Sequence, residues 1–267
     1  MRHEGGLTSD AVFRVEPNYV ELLRQAGIID AWAAFEHPSI RVWRTIRERE
    51  NATLDIDRGN GAPPLRLHVK RDREPQHDQP AGAEAAHLIA LSRRGVPTAP
   101  LAAYGQLPDG RSFVITEHLA GFQAVDKLVT AGGTTAFERV LIPTAEVAAR
   151  LHAADAYHRD LYLCHFFARP SGDPVDVRLI DCARVLVKPF WRRRWMVKDL
   201  AQLVYSTRSL AITPDQLDRW FNAYARAAGR RLSTLLRRQI EFKADQIARH
   251  DRVLRRRQPD RSVSIPD

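Results

Sequence analysis

The residues best suited to chemistry in this chain are two acids on neighbouring segments. His158-Arg159-Asp160 runs into Leu161-Tyr162-Leu163-Cys164-His165, and Leu179-Ile180-Asp181 follows. A His-Arg-Asp triplet alone recurs by chance. A second Asp that closes the β-type run Val177, Leu179, Ile180, 21 residues after Asp160, makes the combination far more specific. Phosphoryl transfer needs one carboxylate near the incoming hydroxyl and another to hold a metal on the nucleotide phosphates. A loop and a hairpin between Asp160 and Asp181 suit that division of labour. Taken singly, Asp160 also reads as a helix cap or an Arg-paired acid, and Asp181 as an ordinary strand end.

Further upstream, Lys70 ends an alternating strand and Glu84 lies in the next predicted helix. Such a pair would let the lysine reach the α- and β-phosphates while the glutamate orients it. A Lys and a Glu at this spacing are common in any protein, so the pair gains its meaning from its place before His158. Between the two groups, Ser112-Phe113-Val114-Ile115-Thr116-Glu117-His118-Leu119-Ala120-Gly121 reads as a strand entering a hinge. The backbone after such a strand can offer an adenine ring a carbonyl and an N–H. An edge strand with a turn is the plainer reading.

These groups must be positioned by a mixed set of elements. Residues 17–36 read as one or two short helices and 41–45 as a strand, after which Gly59, Gly61, Pro63 and Pro64 break the chain. Leu65, Leu67 and Val69 alternate with Arg66, His68 and Lys70, the period of a half-buried strand. A polar loop (71–80), a helix (83–92) and strands at 102–106 and 112–117, joined by the turn at Pro108–Gly110, follow. From 134 onward the pattern is mainly helical, with helices at 144–152, 214–228 and 231–257. A hairpin-like element interrupts it at 177–186, and 259–267 reads as a frayed tail. Pro214 suits a first helical position. Strands early and helices late indicate an α+β chain with a small N-lobe (1–120), a larger helical C-lobe (121–258) and a hinge near Gly121.

The bulk numbers set limits. A chain of 267 residues with 44% hydrophobic content can build one large domain or two packed lobes. No apolar run approaches the ~20 residues that span a bilayer. Residues 1–10 lack a charged segment followed by an apolar one, so a secretory signal is not expected. Two cysteines, Cys164 and Cys182, fit a reducing cytoplasm. The charge of +9, 41 basic against 32 acidic residues, favours anionic partners or else reflects a solvated basic surface. No nucleic-acid-binding motif accompanies it, and no nucleic acid is expected as partner.

At SFVITEHL, LHAADAYHRDLYLCHF, VRLIDCARV and WMVKDLAQLVYS, in this order over roughly residues 65–207, the chain resembles the bacterial lipopolysaccharide kinases, which include core heptose and Kdo kinases. The resemblance implies a protein-kinase-like bilobal fold, a small β-rich N-lobe with a larger helical C-lobe, and the use of ATP and Mg²⁺, with Mn²⁺ as the alternative. It implies that Asp160 is the catalytic-loop base, Lys70 the phosphate-binding lysine, Glu84 its helix partner and Asp181 the metal-binding acid. Glu117 and Leu119 would contact adenine through their backbones, with Thr116 behind them. His165 takes the place of the metal-binding Asn, and Asp199 would anchor the catalytic loop. The acceptor implied is a sugar hydroxyl of a lipopolysaccharide core or Kdo-lipid precursor, at the inner face of the cytoplasmic membrane.

The chain departs from the kinase pattern at several places. The nearest thing to a glycine-rich phosphate loop is Arg58-Gly59-Asn60-Gly61, uncomfortably near Lys70. Cys182-Ala183 stand where Phe-Gly is usual, and imidazole at His165 is a poor match for a hard cation. No Ala-Pro-Glu segment follows Asp181, which disfavours a peptide substrate. Other small-molecule or protein kinases of this fold, and a nucleotide-binding pseudokinase, are the competing readings. The segment Val187-Lys188-Pro189-Phe190-Trp191-Arg192-Arg193-Arg194-Trp195 reads either as a contact for anionic saccharide or membrane, or as a solvated loop with packed aromatics.

Overall fold

The computed structural model describes residues 10–46, 48–59, 61–76, 80–171 and 173–257. Residues 1–9, Asn60 of the glycine pair and the tail at 259–267 lie outside the described residues. The chain divides into two compact units, one running up to Ile89 and including Ala99–His118, the other comprising Ala90–Thr98 and everything from Leu119 on.

The first unit is built on a six-stranded antiparallel sheet. Its strands are β1 (Val12–Val15), β2 (Arg41–Ile46), β3 (Arg49–Ile56), β4 (Leu65–Asp72), β5 (Leu101–Gln106) and β6 (Ser112–Glu117), in the order β1-β5-β6-β4-β3-β2. Two short helices, α1 (Val20–Gln25) and α2 (Ala33–Glu36), precede β2. Leu23, Ile28 and Ala34 share a buried cluster with Leu54, Leu67, Val69 and Phe113. Because strand side chains alternate between faces, burying Leu65, Leu67 and Val69 in that layer turns Arg66, His68, Lys70 and Asp72 to the opposite face. Helix α3 (Ala83–Ser92) starts in this unit and delivers Glu84 to Lys70.

Strand β3 did not stand out in the sequence, because Asn51, Asp55 and Arg49 dilute its alternation. Only Ala52, Leu54 and Ile56 are buried. Its presence relocates the glycine pair. Arg58–Gly61 lies in the β3–β4 connection, beyond the Leu65 end of β4. Five residues of strand separate Leu65 from Lys70, roughly 16 Å at the usual rise. The β2–β3 connection lies at the other end, where Arg49 pairs with Asp72, two residues from Lys70. It contains no glycine.

The second unit is mainly helical. Gln123–Ala124 (β7) leads into α4 (Val125–Ala153), whose run is broken at Gly133 by a backbone conformation (φ 60°, ψ −148°) that glycine tolerates. The strand pair Ala156–Tyr157 (β8) with Leu186–Val187 (β11), and the hairpin Phe166–Arg169 (β9) with Asp176–Leu179 (β10), flank the two acids. The hairpin at β10 thus pairs backward with β9, not forward into 186 as the sequence indicated. Helices α5 (Arg192–Thr207), α6 (Pro214–Ala227) and α7 (Thr234–Arg257) complete the unit. Thr213 and Gln216 cap α6 reciprocally ahead of Pro214. Trp220 and Tyr224 of α6 are buried, and Trp220 donates to the Thr144 hydroxyl of α4 at 3.0 Å. No helix among the described residues is long and apolar enough to cross a membrane.

Candidate active site

In the first unit the expected lysine–glutamate pair is formed. Lys70 Nζ donates to both carboxylate oxygens of Glu84, at 2.8 and 3.1 Å, in a half-buried setting. The start of α3 is fixed by two residues that carry no obvious signal in the sequence. The fully buried Asp72 accepts the Ala81 N–H at 2.8 Å and the Ser112 hydroxyl proton at 2.6 Å, while Ser112 Oγ accepts the Gly82 N–H at 2.8 Å. A side chain at Gly82 would press its Cβ within 3.2 Å of Ser112. Two strands therefore grip the chain just ahead of Glu84.

Thr116 pairs with His68 across the sheet, on the same face as Lys70. His68 Nε2 and His118 Nδ1 are 3.0 Å apart. Burial, then the charges of His118 and Lys70, pushes the His68 pKa down to about 4, and burial lowers that of His118 as well. Glu117 gives its N–H to Pro100 O, and its side chain accepts a hydrogen bond from the buried Tyr19 hydroxyl. In the second unit Leu119 is buried, and its carbonyl accepts from Phe122 N–H.

The segment carrying Asp160 is held by one face of α5. Asp199 accepts the N–H groups of His158 (2.8 Å) and Arg159 (2.7 Å), and Gln202 Oε1 accepts that of Leu161 (3.0 Å). Ser206 Oγ accepts that of Leu163 (3.1 Å). Positions 199, 202 and 206 fall on one helical stripe, so a straight helix side holds a non-helical loop by its amides. The sequence reading identified Asp199 and missed Gln202 and Ser206. Their signal was three polar residues at helical spacing among Leu200, Ala201, Leu203 and Val204, all buried. Gln202 Nε2 also donates to Arg159 O (2.9 Å) and approaches Asp160 Oδ1 (3.4 Å).

Asp160 keeps a quarter of its side-chain surface exposed, with Arg184 Nη1 3.6 Å from its other oxygen. Lys198 lies in this basic surround, its pKa lowered by burial and then by Arg184 and Arg159. His158 is fully buried and donates through Nε2 to Ile180 O at 3.0 Å, which ties the Asp160 loop to the residue before Asp181. Burial, then the charge of His165, keeps His158 neutral.

Asp181 adopts a left-handed backbone (φ 55°, ψ 54°), a strained conformation for a non-glycine residue that marks functional positions. His165 faces it. Its Nδ1 donates to Asp160 O at 2.6 Å, and its Nε2 lies 3.8 Å from Asp181 Oδ2. Burial alone would lower the His165 pKa. A hydrogen bond to Cys164, the electrostatic influence of Cys164 and Asp181, and the bond to Asp160 O outweigh burial and raise it to about 9. Metal binding at His165 would need a bare ring nitrogen, in competition with the proton that these partners favour. Among the described residues no group of three or more His, Cys, Asp or Glu can hold a metal unaided. The donor set still fits a hard cation of the kind that takes one or two carboxylates plus phosphate oxygens and water. Asp181, nearly half exposed, is the carboxylate that would be available to it.

Only ten residues separate Asp181 from α5, and they contain the 3-10 turn Cys182–Arg184 and β11. The run Arg192–Trp195 forms the first turn of α5, so the basic half of the aromatic segment is helical rather than a loop.

The chain has relatives among known proteins, in sequence and in fold. The chain is similar to the lipopolysaccharide core heptose(I) kinase WaaP of Pseudomonas aeruginosa, 30% identical over 151 residues, which are 51% of this chain and 56% of that protein. It is similar to WaaP of Escherichia coli, 30% identical over 122 residues, covering 42% of this chain and 46% of that protein. The matches thus span about half the length of these curated relatives. Among solved structures the chain is similar to WaaP in complex with acyl carrier protein, with a TM-score of 0.66 and 24% identity over 90% of this chain and 97% of that one. The fold is therefore α+β and kinase-like, as expected. The model of the "Lipopolysaccharide kinase (Kdo/WaaP) family" matches residues 65–224, well over half of the chain. The chain belongs to the lipopolysaccharide kinase (Kdo/WaaP) family.

Proposed function

We propose that the protein transfers the γ-phosphoryl group of ATP to a sugar hydroxyl of a lipopolysaccharide core or Kdo-lipid precursor. The observation that carries this reading is Asp160, whose loop is held by four backbone amides and whose carboxylate stays accessible beside Gln202. The acceptor oxygen attacks the γ-phosphorus, its proton passes to Asp160, and the bond from phosphorus to the β–γ bridging oxygen breaks to release ADP. Lys70, oriented by Glu84, holds the nucleotide phosphates, and the backbones of Glu117 and Leu119 receive adenine. Asp181 would hold Mg²⁺ or Mn²⁺, which supplies charge neutralisation on the phosphates when bound. His165 lies beside Asp181 and fixes the Asp160 backbone by donating to its carbonyl.

The short connection from Asp181 to α5 favours a small or lipid-linked acceptor over a peptide. Exposed Phe190 and Trp191, followed by Arg192, support action at an anionic membrane face, with the protein peripheral to the inner side of the cytoplasmic membrane. Acyl carrier protein, present in the similar WaaP structure, was not among the sequence expectations. We extend it to this chain as a candidate partner, to be checked by co-purification.

The deciding experiment is a γ-phosphate transfer assay with Mg²⁺ and with Mn²⁺. Its acceptors are extracted lipid A–core, free heptose, Kdo and a generic protein. Transfer to a saccharide acceptor but not to protein is expected. A folded, ATP-binding protein that phosphorylates none of them would favour the pseudokinase reading, and phosphorylated protein alone would reassign the acceptor.

A further inference from the structure

A cavity of about 600 Å³ lies within the second unit, and none of Asp160, Asp181 and His165 is in its wall. Its volume falls in the range of small-molecule sites. Four guanidinium groups line it: Arg192 and Arg193 from the first turn of α5, and Arg230 and Arg231 from the α6–α7 connection. The one carboxylate in the wall is that of Asp155, paired with Arg192 at 2.8 Å. Four cations against one anion leave a net charge of three around a single open concavity, and the four solvent-exposed guanidinium groups make a field that attracts anions.

The other arginines are weakly engaged. Arg193 donates to the amide oxygen of Gln239 (2.9 Å), and Arg230 Nη1 is set against Met196 Sδ (2.9 Å), a poor acceptor for a cation. Arg231 has no hydrogen bond or ion pair among the described residues. The α5 N-terminus adds to the field, because Trp191 provides no side-chain cap for the helix amides at Arg192 and Arg193. A carboxylate ligand would engage one guanidinium fork and leave most of the charge. A phosphate, with two negative charges and three acceptor oxygens, can engage several forks at once.

We propose that this cavity is a binding site for a phosphomonoester group, separate from the site of phosphoryl transfer. The group can come from a soluble phosphate ester or from a lipid headgroup. Phe190, 90% exposed, and Trp191, 63% exposed, stand directly before Arg192 and point to the lipid as the source. The proposal does not depend on the kinase reading, and its test does not use turnover.

The test compares full-length wild type with Arg230→Ala/Arg231→Ala and with Arg249→Ala/Arg252→Ala, an equal charge change on α7 outside the cavity. One arm measures glycerol 3-phosphate binding by calorimetry. The other measures flotation with phosphatidylcholine vesicles doped with phosphatidic acid. The cavity variant should lose at least about tenfold in affinity, the scale of one charge-assisted contact, while the control changes by less than about twofold. If the cavity variant does not fold, Arg231→Gln, whose guanidinium has no protein partner, replaces it. Cavity-dependent binding to vesicles alone identifies the lipid headgroup, and to glycerol 3-phosphate alone the soluble ester. Equal losses in cavity and control variants, or no binding of either probe by wild type, overturn the proposal.

Discussion

The two units each use a buried aspartate to grip main chain, yet what they grip differs. In the first, Asp72, helped by Ser112, holds the residues leading into α3. The proposed phosphate-binding group there is one step removed, carried by the long side chains of Lys70 and Glu84. In the second, Asp199 holds the amides of His158 and Arg159, immediately before Asp160 itself. A long ion pair between flexible side chains can absorb a shift of its supports. A carboxylate that must meet an incoming hydroxyl cannot, since a misplacement of about 1 Å can cost a hundredfold in rate. Support lost in the first unit should therefore appear mainly as lost stability, and support lost in the second as lost turnover.

The largest expected effect tests the end point of that contrast. Asp160→Asn should lower turnover by about 10²–10⁴-fold, the range for loss of a general base, while thermal unfolding and ATP binding stay near wild type. A folded variant with near-normal turnover breaks the assignment.

Next come the two aspartates, compared directly. Asp72→Ala leaves two donors without their acceptor in the protein interior and Asp199→Ala three, His152 Nε2 included, and each should destabilise by about 3 kcal/mol or more in urea unfolding. Measured at low temperature on folded protein, Asp199→Ala should also reduce kcat at least about tenfold. Asp72→Ala should change kcat by less than about threefold and act instead on KM for ATP. Equal kcat losses in the two variants would erase the distinction.

A smaller effect isolates positioning within the second unit. Gln202→Leu removes both the acceptor for Leu161 N–H and the donor near Asp160. It should lower kcat about tenfold and leave KM for ATP unchanged, the signature of an interaction made only in the transition state. A rise in KM with unchanged kcat would remove Gln202 from this role.

The smallest effect belongs to the first unit and is one of stability. His68 has its folded pKa depressed to about 4 from an ordinary value near 6.5. The unfolded chain therefore binds more protons between these values, and stability present above pH 6.5 is lost as pH falls toward 4. Lowering pH from 6.5 to 5.5 should cost about 1 kcal/mol, and His68→Gln should remove most of that dependence. An unchanged pH slope in the variant would place the titration elsewhere.

The candidate site residues were legible in the sequence, and those that support them largely were not. Lys70, Glu84, Asp160 and Asp181 stand out because function demands their types at a fixed order, and an alternating strand frames Lys70. Asp72 and Ser112 were hidden because their partners are backbone amides nine and thirty residues away, and any sequence can supply an amide. Gln202 and Ser206 were hidden for the same reason, although their helical spacing among apolar neighbours was visible. Strand β3 was masked by polar residues on its unburied positions, and with it went the true location of Gly59 and Gly61. The sequence indicated helix from 134 onward and at 144–152 but not the run Val125–Ala153 with its break at Gly133, because packing against α6 decides that run rather than local propensity.

The stripe Asp199–Gln202–Ser206 has a consequence for how the second unit breathes. The amide protons of His158, Arg159, Leu161 and Leu163 all end on side chains of a single helix. Each can exchange with solvent deuterium only when that contact opens, and α5 is largely buried between them. The four protons should therefore exchange together, at the slow rate of α5 itself, rather than at the fast rate usual for loop amides. The loop that carries Asp160 would then belong, by its exchange kinetics, to the most protected core of the protein.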